Sequence, residues 1–127
     1  MNTMLAVEAE SVRKLRTDEL YRCTLYILCD DNFKPVPGVV VTGISGDLKS
    51  ESNRIPLVIL KDGRGDCGSD YEDEHDRFFR TNLRSRTIRP GELFTVWWKN
   101  KLQQRNREIE TSYRITKVTP LAGLLAA

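Results

Sequence analysis

The sequence predicts a mainly β protein, a small barrel or sandwich of about six strands with one N-terminal helix. Three observations carry this. Apolar residues alternate at period two in Tyr21–Cys29 and again in Ile109–Val118. Short β-branched runs recur between them at Val39–Val41 and Ile55–Leu60. Turn signals separate the runs: Asp30-Asp31-Asn32, Pro37-Gly38 and Lys61-Asp62-Gly63.

Taken in order, residues 4–19 read as a helix. Leu5, Ala9, Val12 and Leu15 recur at helical spacing with charged residues between them. This gives an N-terminal helix or arm over 1–20. A single β-rich domain is expected over 21–118. In its first strand Tyr21, Cys23, Leu25, Ile27 and Cys29 share one face, and Tyr26 and Leu28 make the other face partly apolar. Val39–Val41, Ile55–Leu60, Phe78–Leu83, Leu93–Trp98 and Ile109–Val118 supply the other five strands. No internal repeat is present. Residues 119–127 form a short apolar tail.

At 127 residues, 39% hydrophobic and 30% charged, the chain suits one domain with a core of its own. No apolar run approaches the roughly 20 residues that span a bilayer, so no membrane partner is expected. The acids Glu8 and Glu10 interrupt the start before any long apolar stretch, unlike a secretory signal. The expected location is the cytoplasm, or a virion. Of three cysteines, Cys23 and Cys29 sit six residues apart on one expected strand, roughly 20 Å at the usual rise and too far for a disulfide. Buried free thiols are expected.

The charge is sorted along the chain. Between Asp62 and Asp76 seven acids face one base, Arg64; between Arg77 and Arg107 nine bases face one acid, Glu92. The remainder balances, leaving a formal net charge of +2. Sorted charge is either folded together or offered to a partner. The expected partner-binding residues are Asp70, Glu72, Asp73, Glu74 and Asp76 in an acidic loop over 62–76. On a basic hairpin loop over 99–107 they are Lys99, Lys101, Arg105 and Arg107.

No catalytic constellation emerges. His75, the only histidine, lies between Glu74 and Asp76, and carboxylates favour the imidazolium, a poor general base. It reads as a solvated loop residue. Asp62, Asp66 and Asp70 recur every four residues among glycines, but Arg64 stands where a calcium loop needs an oxygen ligand. Zinc has one Cys and one His in reach. Gly63, Gly65 and Gly68 lack the lysine and hydroxyl of a phosphate loop. No metal, cofactor or enzymatic activity is expected.

Aromatics interleave the basic stretch. Trp97 and Trp98, as neighbours on a strand, point to opposite faces. If Phe94, Val96 and Trp98 face inward, Trp97 faces out, as interface tryptophans do. An alternative reading is a nucleic-acid-binding barrel, with Arg80, Arg84, Arg86, Lys99 and Lys101 on phosphates and Phe79 or Trp97 stacking on bases. A further alternative is an inhibitor whose acidic loop mimics a nucleic-acid backbone.

Thr87-Ile88-Arg89-Pro90-Gly91-Glu92-Leu93-Phe94-Thr95-Val96, followed by a hairpin and Tyr113-Arg114-Ile115-Thr116-Lys117-Val118, resembles the last hairpin of small β-barrel proteins that join head to tail in tailed phages. The resemblance covers about a quarter of the chain. It implies a non-enzymatic structural protein, a virion joint or ring subunit making protein–protein contacts with further copies of itself. The leading expectation is accordingly an assembly protein whose acidic loop and basic arm lie on different faces.

Overall fold

The computed structural model describes residues 1–13, 21–46, 55–68, 78–99 and 108–121. They form a closed antiparallel barrel of eight strands: β1 (Thr3–Ser11), β2 (Arg22–Cys29), β3 (Val41–Ser45), β4 (Ile55–Ile59), β5 (Arg64–Asp66), β6 (Phe78–Thr81), β7 (Leu93–Lys99) and β8 (Glu108–Pro120). Each strand pairs with the next, and β8 pairs with β1 to close the wall.

The mainly β expectation holds, but the strands number eight, not six, and Thr3–Ser11 is a strand where a helix was expected. Leu5 and Ala9 fit either period, because a spacing of four is two strand repeats or about one helical turn. Burial decides it: Leu5, Val7, Ala9 and Ser11 are all buried, and Glu8 between them is exposed. β1 also supplies the partner that β2 and β8 both need; without it each leaves an unpaired edge. Residues 14–19 of the expected helix lie outside the described residues. The second added strand, β5, sits inside the expected acidic loop. The expected strand at Val39–Val41 begins instead at Val41.

Inward side chains fill the barrel, as eight strands allow. Val7, Leu25, Ile27, Val41 and Ile115 are fully buried. Gly65 faces inward because Phe79 takes its space: a Cβ there would sit 2.0 Å from the Phe79 ring. On β8 one extra residue is accommodated opposite β1, since Glu8 pairs with Lys117 but Ala9 with Ile115. Thr116, the residue in excess, donates its hydroxyl to the Glu8 carbonyl at 3.1 Å. This bulge lets both Ile115 and Val118 reach the core.

One end of the barrel is closed by the connection from β6 to β7. A single 3-10 turn, Leu83–Ser85, and the loop after it insert Leu83 and Ile88, both fully buried. Thr81 Oγ1 donates to the Thr95 carbonyl at 2.7 Å, and Asn82 Oδ1 accepts from Thr95 N–H at 2.8 Å. The Ile88 N–H donates to the Phe33 carbonyl at 2.7 Å, tying this plug to the turn after β2. Phe33 adopts the left-handed φ of 60°. Asp30 Oδ1 holds that turn by accepting from the N–H groups of Asn32 and Lys34.

Candidate interaction surfaces

Trp97 lies on the outer face of β7, while Phe94 and Val96 are buried and Trp98 packs on the core. Trp98 stands 4.8 Å from Phe79, centroid to centroid. The outward ring is dressed by its cross-strand neighbours. Arg80 pairs with Trp97 across β6–β7 and lies 4.3 Å over the indole; Glu110 pairs with it across β7–β8 and accepts the indole N–H at 2.8 Å. Arg64 extends the row onto β5, and its Nε donates to Asp62 Oδ2 at 2.6 Å. The Arg64 main-chain N–H also donates to Asp62, and these contacts hold the Asp62 carboxyl below its ordinary range.

The arginines expected to bind phosphate are engaged inside the molecule. Arg84 Nη2 donates to the carbonyls of Val36 and Val39, clamping the β2–β3 connection against the plug. Arg86 Nε donates to the Leu93 carbonyl at 2.9 Å, and its Nη2 lies 3.5 Å from Glu92. Phe79, offered as a stacking surface, faces the interior.

Asp70, Glu72, Asp73, Glu74 and Asp76, with His75, lie outside the described residues, as do Lys101, Arg105, Arg107 and the tail beyond Leu121. Their flanks are informative. Gly68 and Phe78 bracket residues 69–77; Lys99 and Glu108 bracket 100–107. Because β6 pairs with β7, with Phe79 opposite Trp98, these two hairpins are neighbours and open at the same end of the barrel. The residues that flank the acidic segment and the basic segment therefore stand on adjacent strands at one rim; the faces expected for the segments themselves lie outside the described residues.

The opposite side of the barrel carries a surface that the charge pattern does not reveal. Outward positions on β2, β3 and β4 below Arg22 hold Tyr26, Leu28, Thr42, Ile44, Pro56 and Val58, none charged. Its sequence signal is the absence of charge from Cys23 to Cys29, from Pro35 to Gly46 and from Ile55 to Leu60. Elsewhere the wall bears Glu8, Arg64, Arg80, Glu110, Arg114 and Lys117 outside an apolar interior, the reverse of a lipid-facing barrel. No described helix is long and apolar enough to cross a membrane.

Inside the barrel the thiols are silent. Cys23, Cys29 and Cys67 are free and buried. Burial pushes the Cys23 thiol up to about 12 and those of Cys29 and Cys67 to about 11. They stay protonated at neutral pH and make poor nucleophiles. Burial, with Cys23, Tyr21 and Cys67 nearby, likewise raises Tyr113. Among the described residues no group of three potential metal ligands converges. No protein-family model, curated protein or solved structure matches this chain.

Proposed function

We propose that the protein is a non-enzymatic assembly subunit that joins further copies of itself through the rim bearing its acidic and basic segments. The observation that supports this best is the adjacency of Phe78 and Lys99, the flanks of those segments, at one end of the barrel. A rim that offers both signs side by side is self-complementary: turned about a two-fold axis, the acids of one copy meet the bases of the other. Exposed ion pairs contribute little each, so they set register and encounter rate more than affinity. The resemblance of the last hairpin to phage head–tail joining proteins extends the proposal to a subunit of a virion particle. The described arginines Arg80, Arg84 and Arg86 already have partners within the chain, and this weighs against the nucleic-acid reading.

The test is solution mass by size-exclusion chromatography with light scattering, at low and high salt. A discrete multimer that dissociates at high salt is expected. The variant carrying Arg105→Glu and Arg107→Glu is expected to be a folded monomer throughout. A wild-type monomer at both salts, or a multimer indifferent to the double reversal, overturns the proposal.

A further inference from the structure

The turn after β2 carries a side chain that its backbone disfavours. Phe33 N–H donates to the Asp30 carbonyl at 3.1 Å, and Asp30 N–H to the Lys34 carbonyl at 2.9 Å. Within this tight turn Phe33 takes the left-handed φ of 60°, a place that Gly or Asn fills without strain. A bulky residue there is held against its own preference, and strain of this kind gathers at binding and switch sites. The ring does nothing for the turn itself. The bonds that shape it come from the main chain and from Asp30 Oδ1, which accepts from the Asn32 and Lys34 N–H groups. Nor is the ring placed in the core, for Phe33 stays 42% exposed. Its position is nonetheless fixed. The Phe33 carbonyl accepts from Ile88 N–H at 2.7 Å, and Ile88 is fully buried in the plug. The next residue, Arg89, is exposed and lies 5.2 Å over the ring.

We infer that Phe33 and Arg89 form a docking point for a peptide segment of a partner protein that carries an apolar side chain beside a carboxylate. The ring supplies the apolar contact and the guanidinium the charged one. Charge selects this occupant. Arg89 and Lys34 are exposed and, among the described residues, neither side chain meets an acceptor. The acids nearest them in the chain are engaged: Asp30 by two N–H groups, Asp31 by the Met1 amine at 2.9 Å, and Glu92 by Arg86. Two cations without partners suit one or two carboxylates. The same three acids repel a nucleic-acid backbone, and a single ring offers one stacking place where a strand needs several. The docking point lies at the plug, at the opposite end of the barrel from Phe78 and Lys99, so it is independent of the rim assembly. Turn and plug are already pinned to one another, and little ordering is left to be done on binding.

The test uses the full chain, labelled with 15N, and blocked dipeptides as probes. Acetyl-Phe-Glu-amide is expected to shift the N–H signals of Phe33 and Lys34 and the Nε–H signal of Arg89, with a dissociation constant on the order of 1 mM. Acetyl-Phe-Lys-amide at the same concentration is expected to shift them at least tenfold less. Single-stranded oligothymidylate is expected to leave them in place. Two variants separate contact from fold. Phe33→Gly relieves the backbone; its melting midpoint is expected within about 4 °C of the parent, while its response to acetyl-Phe-Glu-amide is lost. Arg89→Gln is expected to respond alike to both dipeptides. A fall of more than about 4 °C in Phe33→Gly means that the ring is held for the fold, and overturns the inference. An equal response of the parent to both dipeptides overturns it. So does a response to oligothymidylate in place of the dipeptide, or no response to either.

Discussion

The wall built by β2, β3 and β4 and the wall built by β6, β7 and β8 are made of the same parts and differ on one side only. Both are antiparallel meanders, and both turn apolar residues inward: Leu25, Ile27, Val41 and Ile59 from the first, Phe79, Phe94, Val96 and Ile115 from the second. Outside they diverge. The first presents Tyr26, Leu28, Thr42 and Val58; the second presents Arg80, Trp97, Glu110 and Arg114. Barrel closure constrains the inward positions, because each must fill a share of one interior. It leaves the outward positions free, so their chemistry records what each wall meets.

That comparison is open to attack at several points. The largest effects are expected inside, and alike on both walls. Ile27→Ala is expected to cost about 2–5 kcal/mol and Phe94→Ala about 3–5 kcal/mol in denaturant unfolding. A loss under about 1 kcal/mol on either side breaks the symmetry.

High pH is expected to weaken the fold first through the buried thiols, with Tyr113 on β8 adding to the loss only above about 10. All three buried thiols lie on β2 or just after β5, and none on the β6–β8 wall. Their ionisation is raised in the folded state from about 9 to about 11 or 12. The unfolded chain therefore loses protons first as pH rises, and stability, intact below pH 9, falls between about 9 and 12. Melting curves at pH 7, 9 and 10.5 read this, at about 1.4 kcal/mol per thiol per pH unit. Cys23→Ala is expected to flatten the fall; an unchanged slope in that variant removes Cys23 from the account.

Gly65→Ala probes the seam between the walls. Its new methyl must displace the Phe79 ring, 2.0 Å away, at an expected cost of about 1–3 kcal/mol. Combining it with Phe79→Leu is expected to recover part of that loss, and strict additivity of the two changes would refute the steric explanation.

The smallest effects are expected outside. Arg80→Ala and Glu110→Ala each remove one dressing of Trp97 and are expected to cost about 0.5–1 kcal/mol. Both are expected to change tryptophan emission, and their coupling with Trp97→Phe in a double-mutant cycle measures the row. Thr42→Lys, on the exposed part of the uncharged wall, is expected to move stability by less than about 0.5 kcal/mol.

Much of the barrel was legible as local pattern. The alternation in Tyr21–Cys29 and Ile109–Val118 led directly to β2 and β8, and the opposed faces of Trp97 and Trp98 followed from adjacency on a strand. Two strands escaped. Leu5 and Ala9 satisfy two periods at once, and charged neighbours tipped the reading to a helix. Arg64–Asp66 is too short and too rich in glycine to announce a strand; Gly65 is inward only because a ring from β6 fills its place. The candidate surfaces divided the same way. The sorting of charge was plain, but Arg84 and Arg86 looked like free cations because the carbonyls that accept from them, at Val36, Val39 and Leu93, belong in part to distant chain.

The sequence by itself determined that the chain is mainly β, that its thiols are buried and unpaired, and that its charge is segregated. Each of these follows from residue identity and short-range spacing. Tertiary structure alone decided that Thr3–Ser11 closes the barrel between β2 and β8, that the acidic and basic segments leave from one rim, and that an uncharged wall stands opposite the charged one. These are matters of which strand lies beside which, and for the charged segments they concern the described flanks, Phe78 and Lys99. Pairing joins residues as far apart as Leu5 and Pro120, and no local preference encodes a neighbour at that distance.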